Sequence, residues 1–207
     1  LRDNGYLLYG HYSRWMFHHP GPFWFYSNYL FENLLGFSGL ERVQIWLISN
    51  IVISSILISM ASLGFSEFFI GRVCLRFCLA WVIIVIIFAG ADIVEYWMPR
   101  RTIAAYLLFM VSVLNISIGN VRYIVLAVFL AGVLVHGYIT MPLFTIPLLF
   151  ISFISGYIHR PSDFVFHKTW KVVLQSLLVL FVFLLPLLVD AIAFRPNNLL
   201  KIISVNK

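Results

Sequence analysis

From Tyr123 to Ile158 the chain carries no charged side chain, His136 apart, and residues 43–66, 77–91, 102–121 and 172–189 carry none at all. A helix needs about 20 mostly apolar residues to cross the hydrocarbon core of a bilayer, and runs of this kind have few other folded destinations. Apolar residues make up 62% of the chain and charged residues 11%, against about 25% charged in a soluble domain. Polar groups are too few to cover a water-soluble globule of 207 residues. A soluble enzyme is therefore excluded, as are disorder and a disulfide scaffold. The expected fold is all-α: a polytopic transmembrane helix bundle of about six spanning helices.

The spans fall at about 43–66, 74–95, 102–119, 122–139, 143–158 and 172–190. The uncharged stretch after Tyr123 is too long for one helix, and His136-Gly137 and Met141-Pro142 divide it. Residues 1–21 read as an outer loop and 191–207 as an outer segment of the same single domain. Residues 22–38 hold FWFYSNYLFENLLGF, in which Phe23, Tyr26, Leu30 and either Asn33 or Leu34 recur at helical spacing. Aromatic side chains favour the membrane–water boundary, so this segment reads as an interfacial helix; the alternative is a further span. With residues 43–66 running inward, basic residues near spans two to six divide six inside to three outside. That division is too even to set the orientation by the positive-inside rule.

The net charge of +6 fits basic residues gathered at helix ends against lipid headgroups. No aromatic–basic sheet motif or basic tail is present, so nucleic-acid binding is not expected. Cys74 and Cys78 share a helix face but lack His or acidic neighbours, which makes them small apolar side chains rather than metal ligands. There is no G-x-G-x-x-G or P-loop, so a soluble nucleotide-sugar fold has no support, and no cofactor is expected. A divalent metal requirement is left open.

The densest polar stretch is residues 1–28, LRDNGYLLYGHYSRWMFHHPGPFWFYSN. Asp3 has the chemistry of a general base, and Arg14 that of a planar phosphate-binding fork. Tyr12, His18 and His19 lie beside them as candidates for substrate contact. Pro20 extends the backbone at His19; adjacent histidines diverge, so a shared metal is not expected. A structural cap is the alternative for both. Asp92, Glu95, Arg100 and Arg101 cluster at the outer end of a span, either lining an outer cavity or pairing with one another. His136 is either a functional group inside the membrane or a neutral imidazole bonded to a neighbouring carbonyl. Asp190 reads as a helix-end residue, and Asn50, Ser54 and Ser55 as interhelical polar contacts.

The run Arg2-Asp3, Gly10-His11-Tyr12-Ser13-Arg14 and His19-Pro20-Gly21-Pro22 resembles the first extracytoplasmic loop of GT-C-type membrane glycosyltransferases. The nearest pattern is that of bacterial multi-spanning proteins with G-x-Y-S-R followed by H-P-G-P. Trp97-Met98-Pro99 is similar to their W-N-P, with Met98 in place of Asn. Leu184–Asp190 followed by Asn198-Leu199 is similar to their L-P-P…D/E…G-N-L ending, with a single proline and with Asn197 in place of Gly. The resemblance spans nearly the whole chain in order. It implies sugar transfer from a polyprenyl-phosphate-linked donor to a glycan or lipid acceptor of the cell envelope. The reaction would occur on the outer face of a bacterial plasma (inner) membrane. Asp3 would be the base, and the carrier tail would lie between helices. It also implies that the chain is a fragment, lacking the class's first helix and its last ones. The rival classes are a lipid or solute transporter and a non-catalytic membrane subunit of a glycan-assembly complex.

Overall fold

A computed structural model describes residues 8, 10, 18–68, 101–159, 166–193, 198 and 200. The expected span at 74–95, with Cys74 and Cys78, lies outside them. Among the described residues the fold is all-helical, with six α-helices and no strand beyond an isolated bridge at His18. They are α1 (Phe23–Leu35), α2 (Arg42–Phe68), α3 (Ile103–Ser117), α4 (Tyr123–Gly137), α5 (Pro142–Ile158) and α6 (Phe166–Ala193).

Each boundary has a local cause. Pro22 precedes α1, and a 3-10 turn over Gly36–Ser38 ends it. Gly39, at φ 74, then reverses the chain into α2. Gly119, at φ 89, does the same between α3 and α4. Helix α4 stops at Gly137, where Tyr138 becomes extended. Pro142 starts α5 at the one helical position where a missing N–H costs nothing. The long uncharged stretch is thus two helices, as its interruptions indicate.

Helix α3 is the hub, packed against α2, α4 and α5; α4 also carries α6, and α1 leans on α2 and α4. Ala105, Leu108 and Phe109 of α3 and Ala127, Leu130 and Leu134 of α4 form the innermost layer, all fully buried. Close approaches are set by missing side chains. A methyl at Gly132 would collide with the Phe183 ring, and one at Gly156 with the Ile116 carbonyl. Asn115 Nδ2–H donates to the Gly64 carbonyl at 3.2 Å, which places the C-terminal ends of α2 and α3 together. These two helices therefore run the same way, while α4 returns and α5 descends again. One end of the bundle collects residues 18–22, 101–102, 137–141, 190 and 198; the other collects 64, 115–123 and 155–159.

Two helices are long and apolar enough to cross a membrane, over Arg42–Phe65 and Trp170–Ala193. Helices α3, α4 and α5 are apolar but shorter, at 15, 15 and 17 residues. Only 11% of the most apolar window of Trp170–Ala193 is buried inside the protein, so its hydrophobicity is not consumed by the core. Leu143, Phe150, Ile154, Leu178, Phe181 and Leu185 likewise face outward.

Candidate functional site

Helix α1 presents Trp24 and Asn28, one turn apart, to the bundle. Arg101, two residues before α3, meets them. Its Nη2–H donates to Asn28 Oδ1 at 2.8 Å, and its Cζ lies 5.0 Å from the Trp24 ring centroid. Arg101 is 2% exposed. Taking a guanidinium out of water is costly, and here the amide oxygen and the ring face offset part of that cost. Among the described residues, Trp24 Nε1 and Asn28 Nδ2 have no hydrogen-bond acceptor although both are buried. Arg101, Trp24 and Asn28 thus bring several buried donors together, a chemistry that can meet an anion. Ser49, Asn50 and Ser54 of α2 are also buried.

A wholly apolar cavity of about 190 Å³ adjoins the cluster, bounded by Phe23, Trp24, Ile53, Leu57, Phe129 and Leu130. Trp24 thus belongs both to a hydrocarbon-like space and to the guanidinium's surroundings.

The histidine–proline turn lies at the same end. His18 Nδ1 contacts the Gly10 carbonyl at 3.2 Å, which requires a proton on that nitrogen. His19 Nδ1 accepts the Ile139 N–H at 3.3 Å, and its ring stacks on Tyr138 at 5.2 Å. The two imidazoles therefore diverge. Gly21 lies flat against the His136 ring, where any Cβ would collide. His136 Nε2–H donates to the Phe183 carbonyl at 2.8 Å. Of the two readings of His136, the carbonyl-bonded imidazole is the one observed. Pro186, one turn further along α6, has no N–H for the Val182 carbonyl and crowds the turn that His136 addresses. Asp190 is fully buried and accepts the Asn198 N–H at 2.8 Å.

Of the residues that sequence marks for the site, His18, His19 and Arg101 are brought to one end of the bundle. Asp3, Tyr12, Arg14, Asp92, Glu95 and Arg100 lie outside the described residues. Among the described residues no group of three His, Cys, Asp or Glu side chains is placed to hold a metal ion. Trp24, Asn28 and Asn198 are the additions that only the fold reveals as partners. The available signal was an asparagine one turn from a tryptophan in an otherwise apolar helix. The chain matches no protein-family model, no curated protein and no solved structure.

Proposed function

We propose that this chain is the membrane-embedded body of a glycosyltransferase acting on a polyprenyl-phosphate-linked sugar, with six spans in a bacterial inner membrane. The observation that carries the reading is the buried donor cluster of Arg101, Asn28 and Trp24, set beside an apolar cavity. A substrate with an anionic head and a hydrocarbon tail needs both, adjacent, near a membrane surface. The outward apolar faces of α5 and α6 and the resemblance of the 1–22 segment support the same reading. Helices of 15 to 17 residues fit a bilayer that thins locally around them.

In the reaction, Asp3 takes the proton of the acceptor hydroxyl, and that oxygen attacks the anomeric carbon from the face opposite the phosphate. The bond between anomeric carbon and phosphate oxygen breaks, its electron pair leaves with the polyprenyl phosphate, and configuration inverts. Arg101 and Arg14 stabilise the departing charge.

The test is sugar transfer from a polyprenyl-phosphate donor by the intact protein in proteoliposomes. Asp3→Asn is expected to lower turnover by about 10²–10⁴-fold, the usual contribution of a general base. Arg101→Ala is expected to lower it by about 10²–10³-fold, as for loss of one oxyanion donor. Transfer that survives both substitutions overturns the mechanism. Donor binding without transfer in the wild type points instead to a non-catalytic subunit.

A further inference from the structure

Two features at opposite ends of the chain are left unexplained by the donor cluster. One is the histidine–proline turn over residues 18–22; the other is Asp190 with Asn198. In the fold they meet. The His18 N–H donates to Asn198 Oδ1 at 2.9 Å, and Asn198 Nδ2–H donates back to the His18 carbonyl at 2.8 Å. The Asn198 N–H in turn donates to Asp190 Oδ2 at 2.8 Å, on a carboxylate with no exposed surface. Asn198 thus pairs with residue 18 as a neighbouring strand would, using a side chain that carries an acceptor and a donor on one carbon. Alanine offers neither group.

The chain just after residue 18 is stiff. His19 is held by Ile139 and Tyr138. Pro20 and Pro22 have fixed φ, and Gly21 is pressed on His136. Helix α1 begins at Phe23, and its first two turns deliver Trp24 and Asn28 to Arg101. We propose that Asp190 and Asn198 are positioning residues. They form a latch on the main chain of His18 that sets the depth and rotation of α1, and through α1 the geometry of the Trp24–Asn28–Arg101 cluster. The proposal rests on the glycosyltransferase reading only in treating that cluster as a substrate site. The latch itself is testable without substrate.

The experiment is hydrogen exchange of the full chain in lipid nanodiscs, monitored over residues 18–31 and over α3 and α4. Asn198→Ala is expected to speed exchange across 18–31 at least about tenfold, the scale of one lost hydrogen-bonded anchor, while α3 and α4 keep their protection. Asp190→Ala is expected to do the same, and the double variant no more, because the residues act as one unit. Asp190→Asn keeps an acceptor for the Asn198 N–H and retains most of the protection. His18→Ala leaves α1 protected, since the pair uses the main chain of His18. Where Asn198→Ala does not fold, the contrast between Asp190→Ala and Asp190→Asn decides.

Protection of α1 that is unchanged in Asn198→Ala overturns the proposal. So does full additivity of the two alanine substitutions, or loosening of 18–22 alone with α1 intact. Sugar transfer is then read on the same preparations. A wild-type rate in an Asn198→Ala protein with loosened α1 overturns the positioning role. No transfer by the wild type counts against the functional reading, and the exchange result then decides the latch by itself.

Discussion

At the scale of single residues, absent atoms matter as much as present ones. A Cβ on Gly137 would sit 2.6 Å from Thr102 Cγ2 and 2.9 Å from Trp24 Nε1, inside the layer that holds Arg101. Gly36, by contrast, meets nothing within 4 Å and has an ordinary helical φ of −61. Gly137→Ala is therefore expected to destabilise the protein by about 1–3 kcal/mol through overpacking. Gly36→Ala should be neutral or slightly stabilising, because it removes freedom from the unfolded chain. Denaturation in detergent checks the pair, and equal effects would refute the packing argument. Arg101 was legible in the sequence as a basic residue at the end of a span. Its partners were not. The spacing of Phe23, Tyr26, Leu30 and Leu34 marks an apolar stripe, and the reflex is to turn such a stripe inward. In the fold Tyr26, Leu30 and Leu34 point out, while Trp24 and Asn28 point in. For a helix lying along a membrane surface, as the sequence predicts here, the usual rule reverses, since the medium on its outer side is itself apolar.

Among elements, the corner between α1 and α2 shows which contacts hold. Glu32 accepts the Trp46 Nε1–H at 2.6 Å and lies 3.3 Å from Arg42 Nε. The Arg42 side chain is 62% exposed, so its ion pair is screened and contributes about 0–1 kcal/mol. The indole bond is charge-assisted and contributes about 1.5–3 kcal/mol. Glu32→Ala should accordingly cost clearly more than Arg42→Ala in the same unfolding assay. Similar losses would mean that the indole bond contributes little. Among the described residues, helix positions were largely legible from the sequence. Their ends were less so, for a physical reason. The uncharged run predicts a span from about residue 172, but α6 begins at Phe166 and carries Lys168 and Lys171 in its opening turns. Hydropathy registers the lipid-compatible part of a helix, whereas hydrogen bonding continues it into the polar margin. The break between α4 and α5 was readable because Gly137 and Pro142 act through the backbone itself.

For the molecule as a whole, the outward faces decide its solvent. Leu178 on α6 is 64% exposed and lies near the middle of that helix. In a bilayer Leu178→Lys costs about 3–4 kcal/mol on the scale measured for helix centres. On the surface of a soluble protein it would cost almost nothing. Reduced membrane insertion of this variant is the expected outcome; unaltered yield in the soluble fraction would argue against a spanning α6.

The pairing of Asn198 with His18 also has a consequence in time. Ribosomes add about 5–20 residues per second, so Asn198 leaves the ribosome roughly 10–35 s after His18 does. Until then the turn ahead of α1 lacks the side chain that fastens it. A segment made early is thus among the last to be finished, and a nascent chain from which residue 198 has yet to emerge can already present α1 to α6 with that corner still undone.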